Sequence, residues 1–171
     1  LMIGEAMELR RPRLEDRATI LEMVDEFKRA ESAMDGGFFR SDMNFENWLQ
    51  SLQEAEMGLS IPDGFVPYIQ LVSFDEAGRA LGFLNLRLRL NEALLEHGGH
   101  IGYSIRPSER GKGYAKKQLQ LGLAEARLKN IKKVLVTCHQ TNAASRATIL
   151  ANGGAFEDIR NDTERYWIKN D

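Results

Sequence analysis

The fold turns on the stretch Ile101-Gly102-Tyr103-Ser104-Ile105-Arg106-Pro107-Ser108-Glu109-Arg110-Gly111-Lys112-Gly113-Tyr114-Ala115. His100 to Ile105 reads as a strand, Pro107 ends it, Gly111 and Gly113 bend the chain, and Ala115, Leu119, Gly122, Leu123 and Ala126 then share one helical face. Two glycines permit a tight bend and leave amide hydrogens uncovered at a helix N-terminus. Those amides, the helix dipole and the charges of Arg110 and Lys112 suit a phosphate or pyrophosphate. Beyond the helix, Val134 to Cys138 reads as a fifth strand, and one intervening helix makes a βαβ crossover with strands four and five parallel.

Outward from this unit, Met7 to Arg11 reads as a first strand, and Ile20, Leu21, Val24 and Phe27 mark a helix from about Asp16 to Arg29. Ser32 to Arg40, with Gly36-Gly37, is a loop, and Phe45, Trp48, Leu49 and Leu52 make a second helical stripe that stops near Gly58. Trp48 and Phe45 read as core. Tyr68 to Phe74 and Ala80 to Leu90 form a hairpin, and Asn91 to Gly99 is a connection. Asn142 is placed to cap a further helix ending at Gly153-Gly154, after which Ala155 to Ile159 and Arg165 to Ile168 close the chain as a hairpin. The order is β-α-α-β-β-β-α-β-α-β-β, an α/β (α+β) fold.

At 171 residues, against roughly 150 per domain, the chain reads as a single domain over 1–171. Lys plus Arg is 23 and Asp plus Glu is 25, and this net −2 gives no basic field for nucleic acid. The single cysteine, Cys138, excludes an internal disulfide and points to a reducing compartment. Leu1 to Met7 lacks the basic and apolar regions of a secretory leader, so the expected location is the cytoplasm. No run of about 18 apolar residues exists to span a membrane. Neither nucleotide fingerprint fits: Gly113 is followed by Tyr114 where a Walker loop needs Lys then Ser or Thr, and Lys116 stands where a dinucleotide loop needs its third glycine.

The quoted segment resembles the GNAT superfamily of acyl-CoA-dependent N-acetyltransferases. Its Arg/Gln-x-x-Gly-x-Gly/Ala signature is matched by Arg110, Gly113 and Ala115, its downstream Asn-x-x-Ser by Asn142 and Ser145, and its closing Gly-Phe by Gly153-Gly154-Ala155-Phe156. Gly98-Gly-His-Ile-Gly-Tyr103 with Val136-Thr-Cys138 further resembles a bacterial subgroup of predicted acetyltransferases. The resemblance implies a central mixed, mostly antiparallel sheet flanked by helices, with strands four and five splayed around the pantetheine arm of acetyl-CoA. It implies backbone contacts from Tyr103 and Ile105, and pyrophosphate on the amides of Gly111, Lys112, Gly113, Tyr114 and Ala115 with Arg110 entering the turn. Asn142 and Ser145 would contact the pantetheine or its phosphate end. An amine then attacks the thioester directly, with the backbone N–H of Tyr103 or Ser104 as oxyanion donor. The implied acceptor is a small-molecule amine, with a peptide or protein amine, or a catalytically silent acyl-CoA-binding module, as the alternatives. Homodimerisation, common in the superfamily, is left open.

The chain departs from the pattern twice. Where many members carry a Tyr that protonates the departing thiolate, this chain has Ile149, which leaves Tyr103, Tyr114 or water. Where some carry a strand-four Glu as base, the nearest titratable residue is His100, with Glu92 and Glu96 in the preceding connection as the other candidates. His97, His100 and Cys138-His139 raise a zinc site only weakly, because nothing fixes convergent geometry, so no metal is expected. Cys138 reads as strand packing. Arg87 and Arg89 alternate along strand three and, if they border the cleft, suit an acceptor carboxylate or phosphate.

Overall fold

A computed structural model describes residues 6–40 and 42–171. The reading of the amino end as free of a leader falls mainly on residues 1–5, outside those described. The elements are β1 (Glu8–Arg10), α1 (Arg17–Arg29), α2 (Phe45–Glu56), β2 (Tyr68–Phe74), β3 (Ala80–Arg87), α3 (Glu92–Glu96), β4 (Ile101–Ile105), α4 (Tyr114–Leu128), β5 (Lys133–His139), α5 (Ala143–Ala151), β6 (Gly154–Arg160) and β7 (Thr163–Lys169). All seven strands form one sheet in the order β1-β2-β3-β4-β5-β7-β6. Every neighbouring pair is antiparallel except β4 and β5, which run parallel.

The period-two alternation of strands sorts the core into two layers. Val72 and Phe83, opposite one another, face α1 and α2 and pack with Ile20, Met23, Phe27, Phe45 and Trp48. Leu71 and Leu84, one residue along, face α4 and α5 and pack with Leu119, Leu123, Ala126 and Ile149. Phe45 and Trp48 are therefore core, as their spacing predicts. Arg106, fully buried just after β4, ties that strand to α1: it donates to Glu26 at 2.9 Å through Nε and to the Ala80 carbonyl at 2.9 Å, and also pairs with Glu22. Partial burial opposes the ionised Glu26, yet hydrogen bonds from Arg106 and Ser108 hold its pKa down to about 2.

Three boundaries differ from expectation. β3 ends at Arg87 rather than Leu90: the Leu88 N–H still bonds the Pro67 carbonyl in register, but Pro67 has no N–H to return the bond and the ladder stops there. The connection after it contains α3, capped by Asn91, whose side chain accepts from the Leu94 N–H at 2.9 Å; five residues are too few for a periodic signal. The closing hairpin is longer than predicted and turns on Asn161 and Asp162, both at positive φ (49° and 66°), the backbone that two-residue hairpin turns demand.

Candidate functional site

The site is built on a break in the sheet. β4 and β5 pair only at Ile101 opposite Val136 and then diverge. On its other side β4 is fully paired with β3: the Arg87 N–H donates to the His100 carbonyl at 2.7 Å, and the Arg106 N–H to the Leu81 carbonyl at 2.8 Å. Antiparallel pairing alternates, so the His100 carbonyl, the peptide groups of Gly102 and Ser104 and the Arg106 N–H face β3, the His100 N–H bonds the Leu135 carbonyl of β5 at 2.8 Å, and the peptide groups of Tyr103 and Ile105 face the gap. Of the two expected oxyanion donors, Tyr103 points its amide into the gap and Ser104 does not, because its amide belongs to the β3 ladder. The Ser104 hydroxyl instead donates to the Asp35 carbonyl at 2.6 Å.

Below the gap lies the glycine turn. Gly111 and Gly113 have φ of +75° and +87°, and a Cβ at either would meet open space, so conformation rather than packing demands glycine. Gly113 caps α4 without any side-chain hydrogen bond, which leaves the first-turn amides around Tyr114 and Ala115 exposed to an anion. Arg110 does not enter the turn as expected: its Nε donates to the Ile105 carbonyl at 2.9 Å and its terminal nitrogen to Ser32 Oγ at 2.8 Å. It thereby closes the last gap-facing carbonyl of β4 and ties the α1–α2 loop to the site. Lys112 pairs with Glu109 at 3.0 Å and does not line the cavity.

The far wall is α5. The Asn142 side chain accepts from the Ser145 N–H at 3.0 Å and caps the helix. Ser145 Oγ is 2.8 Å from the Tyr103 hydroxyl. Burial pushes the Tyr103 phenol up to about 12, and its hydrogen bond to Ser145 only partly offsets this, so it stays protonated at neutral pH. Ile149 is fully buried in the core, and α5 presents Ala144, Ser145 and Thr148 to the cavity, so the phenol beside this helix comes from β4. Cys138 also lines the cavity, but burial and Glu164, 3.5 Å from its sulfur, push the thiol up to about 11. It is a packing residue and a poor nucleophile.

Above the gap the cavity opens into a chamber that the sequence reading did not assemble. Phe38, Phe65 and Tyr68 cluster with ring centroids 5.8 to 6.5 Å apart. Asp35, Asn85, Arg87, Leu94, His97 and Gly98 complete it. Gly36 shapes this wall: it has φ +77°, and a Cβ there would lie 2.3 Å from the Gly102 carbonyl oxygen, so the loop lies directly on β4.

The expected bases fall elsewhere. His100 is buried outside the cavity lining and accepts the Leu135 N–H through Nδ1 at 2.9 Å, with burial and Arg87 pushing its pKa down to about 4. Its lone pair continues the β4–β5 contact, so it is not available at the gap. Glu92 is exposed on α3, and Glu96 pairs with Arg160 at 2.6 Å. Neither lines the cavity. Arg89, past the end of β3, is exposed, so only Arg87 of that pair reaches the cleft. Among the described residues no three His, Cys, Asp or Glu side chains are grouped to hold a metal ion.

One cavity of about 940 Å³ joins these parts, from the glycine turn past Tyr103 and Ser145 to the aromatic chamber. A splayed sheet with a capless helix N-terminus at one mouth and an apolar chamber at the other is the architecture of an acyl-group transferase. The chain belongs to the GNAT acetyltransferase family: the model of the acetyltransferase (GNAT) domain matches residues 7–155. Its fold is similar to that of yncA from Salmonella typhimurium, solved with its cofactor acetyl-CoA, at 20% identity over 97% of this chain and 95% of that one, with a TM-score of 0.62. It is similar also to the ribosomal-protein-S5-alanine acetyltransferase of Vibrio fischeri, at 16% identity over 97% and 94% with a TM-score of 0.70. RimL, a ribosomal L7/L12 alpha-N-protein acetyltransferase solved with coenzyme A, is 18% identical over 99% and 98%, with a TM-score of 0.69. No curated protein sequence matches the chain. No helix of the described residues is long and apolar enough to cross a membrane.

Proposed function

We propose that the protein transfers the acetyl group of acetyl-CoA to a primary amine by direct attack. The observation that carries this reading is the continuous cavity through the β4–β5 gap, which lets a donor held at the glycine turn and an acceptor held in the aromatic chamber meet beside Tyr103. Family membership and the coenzyme-bound structures of similar fold support it. The free amides from Gly111 to Ala115 suit the pyrophosphate, and the gap-facing Tyr103 carbonyl and Ile105 N–H suit the amide groups of the pantetheine arm, which lies along β4 as an added strand. Bound there, acetyl-CoA supplies an activated thioester.

The chain's own groups then act around that carbonyl. The Tyr103 N–H, fixed in the strand, donates to the oxyanion where charge develops. The Tyr103 hydroxyl, protonated and held by Ser145, is the proton donor in place of a side chain at 149. His97, hydrogen-bonded to Thr163 Oγ1 at 3.0 Å and lining the chamber, replaces His100 as the base that takes the amine proton. Two of the similar structures act on ribosomal proteins, which makes a protein amine the second reading.

The test is calorimetric titration of acetyl-CoA, with coenzyme A and ADP as controls, into the wild type and Gly113→Val. A β-branched residue at φ +87° strains the turn and covers its amides. Saturable binding that falls at least about tenfold in the variant supports the site, since one or two lost charge-assisted hydrogen bonds account for that much. Undiminished binding in a folded variant, or none in the wild type, refutes it.

A further inference from the structure

The acceptor chamber contains one buried polar atom without a partner among the described residues, Asn85 Oδ1, and one partly buried guanidinium without a counter-charge, Arg87. Asn85 and Arg87 lie two residues apart on β3, so their side chains leave the same face of the sheet, and both line the cavity. One Arg87 nitrogen donates to the Gly98 carbonyl at 3.0 Å, with the Gly99 carbonyl further off at 3.4 Å. The other terminal nitrogen lies over Gly102, where a Cβ would come within 3.1 Å of it. No carboxylate among the described residues forms an ion pair with Arg87; Asp35, exposed on the neighbouring loop, acts on it only at longer range. A desolvated guanidinium without a counter-charge is costly, and an anion entering the chamber relieves that cost.

Asn85 supplies the complementary group. Gln70 donates to the Gly36 carbonyl at 2.7 Å, which turns its own amide oxygen toward Asn85. That oxygen needs a donor, so the Asn85 nitrogen faces it at 3.3 Å and Asn85 Oδ1 is left buried with no partner among the described residues. The direction of the orphaned acceptor is thus fixed by the Gln70–Gly36 link. A buried acceptor beside a cavity asks for an N–H from whatever enters.

We infer that the acceptor is a small amine with a carboxylate close to its nitrogen, an amino-acid-like molecule whose carboxylate meets Arg87 and whose N–H meets Asn85 Oδ1. The inference rests on the acetyl-transfer reading above and adds the acceptor class. Residues two apart on a strand are separated by about 7 Å, a span that a nitrogen and a carboxylate joined through one or two carbons bridge with a hydrogen bond at each end. The order along the strand is also right. Asn85 stands opposite Gly102, beside Tyr103 and the gap, whereas Arg87 stands opposite His100, further from it. The nitrogen therefore lies nearest the transfer point, and Phe38, Phe65 and Tyr68 receive an apolar side chain. A protein N-terminus offers the amine without the neighbouring carboxylate and leaves Arg87 unpaired.

The experiment compares L-leucine, L-methionine and L-phenylalanine with their carboxamides as acceptors, following thiol release from acetyl-CoA, in the wild type and in Arg87→Met. The acids are expected to exceed their amides in kcat/KM by about tenfold to a hundredfold, the value of a charge-assisted bond, despite their less reactive protonation state. In Arg87→Met that preference is expected to shrink to about threefold or less. The comparison within the wild type stands even if the variant fails to fold. Amides equal to acids in the wild type, or acetyl-CoA binding without turnover of any acid, overturns the acceptor class while leaving the acetyl-CoA site intact. Absence of acetyl-CoA binding in calorimetry instead removes the reading on which it rests, and the acceptor class with it.

Discussion

His100 makes stability depend on pH between its unfolded value near 6.5 and its folded value of about 4. In the folded chain its Nδ1 accepts the Leu135 N–H and the ring is buried, 7% exposed, so the neutral form is held and the pKa falls to about 4. In the unfolded chain the same ring titrates near 6.5. As pH falls below that value the unfolded state gains a proton that the folded state refuses, so stability is lost until the pH reaches about 4 and both states are protonated. From pH 7 to pH 5 the two values give a loss of about 2 kcal/mol, and with a urea slope near 2 kcal/mol per molar the midpoint moves by about 1 M. His100→Asn places an amide oxygen close to the position of Nδ1, keeps an acceptor for Leu135 and does not titrate. Carboxylates such as Glu26 add their own losses only below about pH 4.5, which keeps them out of this interval. The assay is urea unfolding followed by tryptophan fluorescence at both pH values. An equal midpoint shift in wild type and variant would mean that the ring is protonated in the fold, and the β4–β5 contact described here would be wrong.

Two further substitutions test the walls of the cavity. Gly36→Ala places a Cβ against backbone at positive φ, and strain together with overpacking costs about 2 to 5 kcal/mol unless the loop lifts off β4. Thermal melting reads the cost, and a raised acceptor KM with unaltered acetyl-CoA affinity reads the lift; an unchanged melt with unchanged KM sinks the argument. His97→Gln is expected to lower kcat by about a hundredfold, as loss of a general base does, with acetyl-CoA binding retained. A variant at wild-type kcat would return the proton to water.

Much of the fold was legible because it follows from local rules. Ile20, Val24 and Phe27, or Leu119, Leu123 and Ala126, repeat at helical spacing and are the faces that pack on the sheet. The crossover between β4 and β5 is forced parallel by the single helix between them. Asn142 announces the start of α5 by its side chain, and Gly111 and Gly113 announce a turn whose conformation excludes a Cβ. What stayed hidden is short or nonlocal. α3 spans five residues, less than two turns, and the Ser32 hydroxyl that holds the end of Arg110 comes from 78 residues away.

The site shows the same division more sharply. The family resemblance names the backbone of Tyr103, Ser104 and Ile105, but not which edge of β4 is paired, and the pairing with β3 is what takes Ser104 out of the oxyanion role. His100 misleads for a related reason: a histidine near a catalytic strand has a pKa suited to proton transfer only while it remains solvated, and here the partner that desolvates it, Leu135, comes from the strand across the break. The acceptor chamber is less legible still. Phe38, Phe65, Tyr68, Asn85, Arg87 and His97 come from six points along the chain, and none belongs to a motif. The usable signal was chemical rather than periodic: an Arg alternating with leucines on a strand, two residues from an Asn, spends two polar side chains on a sheet otherwise covered on both faces by apolar helices. A buried strand bears such residues only if something satisfies them, and for Asn85 Oδ1 the described residues do not.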